Sequence, residues 1–493
     1  MKSNYFLLIS IFLGIKFHST NSFSQSLDFS AVKAGVFFDE PLREWDGFGF
    51  NYVETAHTYN YDEFKQEYGG FSLLSEAQKQ EIVHDVFGED GLKAGLVKMF
   101  LDANHQTEPY GPYNHERTTE NMRYFVREGL KLTRKRGDDL QIITTLYGPP
   151  GFMTRQKEYR GRDLDPRFKE ELAKYMIDWV RFLKEKEKFP VRYLSLHNEG
   201  EDWYRWNQEG FTTWAGDDYN LFWPHEQVVE YINMLPPMLK AAGLGDVGVT
   251  PGETSNWYRF YAWGYARAIY DDPSAVDNLE LITTHGFYGG NYGRWFGEHN
   301  SLTNDLLRSK RPELHSWVTS TSWSEMDANN IKEMHGNIYT SKVNGIIPWA
   351  GIQRPPHWVK GDPNPGSAFT VHEDGTYEVR QGYYFYKQIT RAGQPGMAVA
   401  STYAMDSEIA VIGFAKNNTK NSDAFVVTNI SDREKTVAVE VRGSNSIYFE
   451  AYRTVDAEGQ PADRYKSLGE FSLKENQLIY AAPPGSVTTF FGK

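Results

Sequence analysis

The stretch FPVRYLSLHNEG, residues 189–200, decides how the fold is interpreted. Residues 191–196 form a short apolar run typical of a buried strand, and the polar residues His197, Asn198 and Glu199 follow it directly. Further short apolar runs lie before and after it, separated by longer stretches with helical periodicity. Strands that alternate with helices predict parallel βαβ units, and eight of them close into a barrel. The sequence therefore predicts an α/β fold, a (β/α)8 TIM barrel.

The eight strands of this barrel are predicted from the positions of the apolar runs. An open doubly wound sheet is the alternative, but no Gly-rich phosphate-binding turn follows the first strand. In a barrel, functional side chains lie where the strands end. The predicted strands are 47–53, 95–101, 140–146, 191–196, 247–250, 279–284, 314–319 and 344–349.

The C-terminal part of the chain differs in composition from the barrel region. All 13 Trp lie between Trp45 and Trp358, and residues 407–493 contain short β-rich runs separated by turn clusters. This pattern predicts a side β-sandwich.

Composition and charge exclude several function classes. The chain of 493 residues carries 52 Lys and Arg against 65 Asp and Glu, which argues against a nucleic-acid partner. There is no Cys, and the His spacing matches no metal motif, so no metal and no cofactor are expected. Residues 1–24 resemble a secretory signal with cleavage near Ser24/Gln25, too short in its apolar part to span a membrane. The protein is therefore expected to be periplasmic or secreted, without membrane insertion.

Glu199 at the end of the fourth predicted strand is a candidate general acid, because burial at a barrel mouth raises the pKa of a carboxyl. The surrounding motifs, taken in chain order, resemble those of glycoside hydrolase family 30, a clan A family. These motifs are Asp46–Gly49, Tyr147–Met153, Leu196–Glu199, Thr284–Tyr288, Trp349 and the junction from Tyr383 to Gly396.

The resemblance implies a barrel with a β-sandwich to which an N-terminal strand is added. The expected organisation is a signal peptide at 1–24, a catalytic barrel at 40–390, and a side domain made of 27–39 plus 391–493. It also implies that Glu199 is the acid/base and that the partner is a carbohydrate; the oligomeric state stays open.

The sequence departs from the family pattern at the seventh strand, where Ser320 occupies the position of the nucleophilic Glu. A serine without a base is a poor nucleophile at an anomeric carbon. Glu325, in the following loop, and Glu253, at the end of the fifth strand, are the two candidates for a second carboxylate. If either acts as a base on water, the reaction inverts the anomeric configuration; a shifted alignment instead makes Glu325 the nucleophile itself, so retention and inversion both stay open.

Other residues at the strand ends are candidate substrate contacts, because aromatic faces pair with the apolar faces of sugars and polar groups bind hydroxyls. Basic residues in the third-strand and eighth-strand loops, among them Lys157, Arg162, Arg354, His357 and Lys360, suggest an anionic polysaccharide, with pairing to nearby acids as the alternative. The candidate substrate contacts are Asn198, Ser320, Tyr147, His285, Tyr288, Trp323 and Trp349.

These observations predict a secreted glycoside hydrolase that cleaves β-linked polysaccharides or oligosaccharides. The alternative is a catalytically inactive carbohydrate-binding relative, because Ser320 removes the expected nucleophile.

Overall fold

The structure is a computed structural model that describes residues 30–55, 67–213, 220–288, 297–354, 366–455 and 462–493. The predicted signal segment, and His357 and Lys360 of the eighth-strand loop, lie outside these ranges. No helix within them combines the length and the apolar character that crossing a bilayer requires.

The chain enters through strand β1 (Val32–Glu44), and eight parallel strands then build the barrel. These are β2 (Gly47–Phe50), β3 (Leu96–Leu101), β4 (Gln141–Leu146), β5 (Val191–Ser195), β6 (Gly248–Thr250), β7 (Ile282–Thr284), β8 (Ser316–Thr321) and β9 (Gly345–Pro348). Their order is β6-β5-β4-β3-β2-β9-β8-β7, and parallel bridges Val249–Leu279 and Thr254–Thr284 close the ring. The predicted (β/α)8 barrel is confirmed.

The inside of the barrel changes from apolar to polar along the strands. Leu96, Ile143 and Trp317 belong to a buried apolar cluster near the beginning of the strands. Side chains alternate between the two faces of a strand, so Lys98, two residues after Leu96, also faces the interior, closer to the mouth. The barrel therefore has an apolar base and a polar upper layer.

Helices surround the barrel, and local sequence signals fix several of their starts. Ser75 with Gln78 and Asp327 with Asn330 form capping boxes, which satisfy free backbone N–H groups at the first turn. The helices are α1 (Glu76–Phe87), α2 (Glu120–Lys135), α3 (Lys169–Arg181), α4 (His225–Ala241), α5 (Trp257–Ala262), α6 (Tyr265–Asp271), α7 (Pro273–Asn278), α8 (Leu302–Arg308), α9 (Ala328–His335) and α10 (Gln381–Ala392).

A small sheet follows the last barrel strand, and a mostly antiparallel nine-stranded sheet forms the side β-domain. The small sheet contains β10 (Ile352–Gln353), β11 (Phe369–Val371) and β12 (Tyr377–Val379). The large sheet contains β1 with β13 (Ala398–Ala404), β14 (Ile409–Ala415), β15 (Ala424–Asn429), β16 (Lys435–Arg442), β17 (Tyr448–Val455), β18 (Asp463–Ser472), β19 (Gln477–Ala482) and β20 (Ser486–Gly492).

The two sheets are joined where β1 meets the barrel. β1 pairs with β13 and β16 and leads directly into Trp45, which is fully buried and packs against Phe48 and Phe414. Helix α10 packs on β15, β17, β18 and β20. The side domain is thus attached beside the barrel and leaves the strand ends open.

Candidate active site

Three strand ends bring Glu199, Glu253 and His285 together at the barrel mouth. Parallel pairing continues beyond β5 and β6, since the Glu199 N–H donates to the Glu253 carbonyl over 2.7 Å. Glu199 has a φ of 44°, a left-handed conformation that residues other than glycine rarely adopt. Such backbone conformations persist where surrounding bonds enforce them, and they concentrate at functional sites.

His285 lies between the two carboxylates. Its Nδ1 is 2.8 Å from Oε1 of Glu199, and its Nε2 is 3.2 Å from Oε2 of Glu253. Both ring nitrogens can donate to carboxylates only when the imidazole is doubly protonated. Burial lowers the pKa of His285, but the bonds to Glu199 and Glu253 outweigh this effect and raise the pKa above its usual value. The geometry therefore favours an imidazolium shared by two carboxylates.

Glu253 is completely buried, and both of its carboxylate oxygens are occupied. Lys98 on β3 donates to Oε2, and Thr145 on β4 donates to Oε1. Burial raises the pKa of Glu253, but the charges of Lys98 and His285 outweigh it, and the pKa falls well below its usual range. This arrangement suits an anchor for His285 better than the predicted base that attacks a sugar or activates water.

Glu199 has a second cationic partner in Arg205. Arg205 belongs to the short helical turn Trp203–Arg205, and its Nη2 donates to Oε2 of Glu199. The two donors surround a carboxylate whose side chain is 10% exposed, so Glu199 keeps access to the mouth. Asn198, predicted to bind substrate, is buried, and its backbone carbonyl accepts from the Asn220 amide over 3.0 Å, while the Asn220 side-chain oxygen accepts from Nη1 of Arg205 over 2.7 Å.

The structure places Glu325 and Trp323 away from this group. The side chain of Glu325 is 81% exposed and pairs with Arg380 over 3.6 Å, just before α10. Trp323 is buried against Phe50 and Tyr386, with ring centroids 5.9 and 5.1 Å apart. These positions do not fit the predicted roles of Glu325 as second carboxylate and Trp323 as a sugar platform, because the side chains turn outward and into the core, respectively.

Ser320 lies near the end of β8 and is buried. The pairing of β8 with β9 shifts register between Val318 and Thr321, so the strand is irregular where the family pattern carries its nucleophile. The residue contributes no charge at this position. The charged groups lie instead in the Glu199 cluster, which consists of Glu199, Glu253, His285, Lys98, Thr145 and Arg205.

The predicted aromatic contacts occupy two places. Tyr147 and Trp349 are buried at the strand ends and lie in a stacked arrangement 6.3 Å apart, with Phe100 packed against both rings. Tyr288 is partly exposed and stacks on His299 at 4.5 Å. Tyr147 and Trp349 thus form one wall, whereas Tyr288 lies on the rim.

The basic residues of the mouth loops are paired locally. Lys157 bonds Asp165 at 2.8 Å, and Arg162 bonds Asp163 at 2.9 Å. Arg354 forms two bonds with Glu373. These pairs agree with the alternative that the basic residues pair with nearby acids. The three residues therefore give no support to an anionic substrate.

Three residues of the cluster were not predicted from the sequence: Lys98, Thr145 and Arg205. Lys98 could have been identified from the sequence, because a Lys inside an otherwise apolar strand requires a buried carboxylate partner. Arg205 could not, because it follows Glu199 in an irregular loop whose path periodicity does not predict.

Comparison with known proteins agrees on the fold. No protein-family model and no curated protein matches the sequence. SrfJ from Salmonella typhimurium matches with a TM-score of 0.70 and 15% identity over 95% of this chain and 94% of its own. The endo-β1,6-glucanase BT3312 matches with a TM-score of 0.66 and 17% sequence identity over 94% of both chains. A GH30 endoxylanase from Clostridium papyrosolvens C71 matches with a TM-score of 0.65 and 16% sequence identity over 94% of this chain and 100% of its own. The chain therefore has a glycoside hydrolase family 30-like fold.

Proposed function

We propose that this protein is a glycoside hydrolase that cleaves β-linked saccharides, with Glu199 as the acid/base. The observation that carries the proposal is the position of Glu199 at the barrel mouth. There Glu199 is hydrogen-bonded to His285, whose other ring nitrogen contacts the fully buried carboxylate of Glu253. Glycosidic bonds break through an oxocarbenium-like transition state, which requires protonation of the leaving oxygen. A carboxyl at a strand end beside a bound proton supplies this step.

The proton in the proposed mechanism comes from the Glu199–His285 pair. Arg205 and His285 both donate to the Glu199 carboxylate, so the proton available for transfer is the one on Nδ1 of His285. As the bond between the anomeric carbon and the leaving oxygen breaks, the proton on Nδ1 of His285 moves to Glu199, and Glu199 passes it to that oxygen. A water molecule then bonds to the anomeric carbon and releases a proton to the solvent, and His285 takes up a proton again before the next turnover. Glu253 is the second carboxylate of this arrangement, and it acts through His285 by keeping the ring charged before the reaction.

The proposed substrate is neutral, because three basic side chains of the mouth loops are already paired with acids. We also propose export, on the signal-like residues 1–24; a solved structure of a conserved exported protein from Bacteroides fragilis has the same fold, with a TM-score of 0.68. In this proposal residues 40–390 carry catalysis, and residues 27–39 plus 391–493 form the supporting side domain. The structure moves residues 40–44 to the side domain, because they continue β1 and pair with β13.

A second candidate function is saccharide binding without turnover. The specific observation in its favour is that Ser320 supplies no carboxylate, while Glu199 already accepts a hydrogen bond from Arg205. Under this alternative the same mouth binds a sugar chain and releases no products.

Release of reducing ends from a neutral polysaccharide panel, including xylan and β-1,6-glucan, distinguishes the two candidates. The hydrolase proposal predicts turnover that Glu199→Gln reduces at least ~100-fold, because a general acid contributes about 10²–10⁴. Glu325→Gln serves as a control with a carboxylate outside the cluster. Saccharide binding without any release by the unmodified protein supports the binding candidate, and turnover that survives Glu199→Gln contradicts the assigned acid.

A further inference from the structure

A cleft lined in part by residues 201–204, which follow Glu199 closely in the chain, carries exposed aromatic side chains. It has a volume of about 320 Å³ and lies between the loops that follow β5 and β6. Trp203 is 46% exposed and Trp263 is 39% exposed, and both line the cleft together with Tyr204. Exposed aromatic patches on a soluble domain mark binding surfaces more often than isolated exposed residues do.

The aromatic rings are held in position before any ligand binds. Trp203 and Tyr204 stack on each other, with ring centroids 5.1 Å apart and an angle of 25° between their planes. The Arg259 guanidinium lies 4.4 Å from the Trp263 ring, and its Nη1 bonds the buried Glu201 at 2.9 Å. Rings fixed in this way lose little conformational freedom on binding, which favours affinity.

The charge of the cleft selects the chemical class of the ligand. Glu226 supplies an exposed carboxylate to this lining, whereas Glu201 and Asp202 are buried and pair with Arg259; the described lining contains no Lys or Arg. Uronates and sulfated sugars are repelled by such a lining, whereas hydroxyl groups can donate to acceptors there. Apolar ring faces combined with acceptors match the two kinds of surface on a neutral sugar.

We propose that this cleft is a second saccharide-binding site, which holds a neutral sugar unit of the same chain whose bond is cleaved at Glu199. The turn Trp203–Arg205 connects the two places, because Trp203 and Tyr204 line the cleft while Arg205 bonds Glu199. The inference rests on the proposed function for the identity of the ligand as a saccharide. It adds a site to which none of the sequence motifs pointed.

Binding is measured by isothermal titration calorimetry in the Glu199→Gln background, which prevents turnover. The probes are xylohexaose, a β-1,6-linked glucotetraose and a xylo-oligosaccharide that bears glucuronate. We expect one neutral probe to bind and Trp203→Ala or Trp263→Ala to weaken it about five- to tenfold. Trp203→Phe is expected to restore most of the affinity. Tyr448→Ala is the control, because Tyr448 is also 46% exposed but lies on the side domain.

Fluorine NMR of 5-fluorotryptophan-labelled protein locates the ligand, with the two signals assigned by Trp203→Phe and Trp263→Phe. Shifts of both signals on titration with the neutral probe are the expected result. Unchanged affinity in both alanine variants, tighter binding of the glucuronate probe, or no binding of any probe overturns the inference. Trp203-dependent binding without turnover supports the second saccharide site and rejects hydrolysis at Glu199. Turnover with unchanged binding in the variants supports hydrolysis and rejects the second site.

Discussion

Nδ1 of His285 lies 2.8 Å from Oε1 of Glu199, and this contact links the mouth of the barrel to its buried charges. The other ring nitrogen contacts Glu253, which in turn accepts from Lys98. Charge of alternating sign therefore runs from the barrel interior to the one carboxylate of this cluster that retains exposure. Glu199 is therefore linked through His285 to the buried pair of Glu253 and Lys98.

The first prediction concerns His285 as a positioning residue and proton source. His285→Asn removes the bound proton while leaving a side chain that can still donate to one carboxylate. We expect kcat to fall about 10²–10⁴-fold with a small change in KM, because only the protonation step is affected. Steady-state kinetics on the best substrate of the polysaccharide panel provide the measurement.

An exposed histidine provides the control for this substitution. His84, on the outer surface of α1, is replaced by Asn in the same way, and no change in kcat is expected. Equal rates for the His285 and His84 variants contradict a proton-supplying role for His285.

The raised pKa of His285 also predicts how stability depends on pH. The folded protein binds this proton more tightly than the unfolded chain, whose His titrates near 6.5. The stabilising contribution is therefore complete below about pH 6.5 and is lost as the pH rises through the higher folded pKa. Urea unfolding of the unmodified protein and of His285→Asn over this window measures it, and the difference in free energy of unfolding should shrink as the pH rises. If the difference in free energy of unfolding grows with pH, the pKa of His285 is not raised in the folded protein, and the assignment of a charged imidazolium is wrong.

Glu325→Gln distinguishes the two candidates for a second carboxylate. Glu325 is 81% exposed and its partner Arg380 lies outside the Glu199 cluster, so its loss removes only a weak surface pair. We expect kcat/KM to stay within a factor of about two, whereas Glu253→Gln lowers it strongly by releasing His285. Should Glu325→Gln cost 100-fold or more, Glu325 reaches the sugar in the working enzyme and the assignment to Glu253 is wrong.

Much of the barrel was predictable because its strands are short apolar runs with polar ends. The run at 191–196 and its polar end predicted both a strand and the position of Glu199. Strand β18 of the side sheet was missed, since Asp463–Ser472 is exposed along most of its length and shows no clear apolar alternation.

The connections inside the site were harder to predict than its location. The sequence predicted that His285 and Glu253 lie at strand ends. Which carboxylate oxygen of Glu253 contacts which ring nitrogen of His285 depends on how the barrel closes between β6 and β7. The burial of Trp323 could not be predicted from the sequence either. Trp323 follows β8, but its side chain turns toward α10 instead of the mouth.

Ser320 predicts the stereochemical outcome of the reaction. A retaining mechanism needs a carboxylate at the position of the nucleophile, about 5–5.5 Å from the acid, and serine supplies none. Direct attack by water is the remaining route, so the first product should carry the inverted anomeric configuration. Proton NMR of the earliest product, recorded before mutarotation, tests this. A retained configuration contradicts direct attack and requires a nucleophile from elsewhere in the chain or from the substrate.

The last prediction concerns the energetic weight of the buried pair beneath the site. Lys98 and Glu253 are both fully buried, so Lys98→Met leaves a carboxylate without its main counter-charge in the barrel interior. We expect a loss of about 3–5 kcal/mol in the free energy of unfolding, measured by urea denaturation, because the desolvated charge is no longer compensated. The double variant Lys98→Met/Glu253→Leu should recover part of this loss, since it removes both charges. Lys169→Met is the matched control: its pair with Glu230 is at the surface and should contribute less than ~1 kcal/mol. If the two lysine variants lose the same stability, the pair does not anchor the site, and the charge on His285 must be maintained in another way.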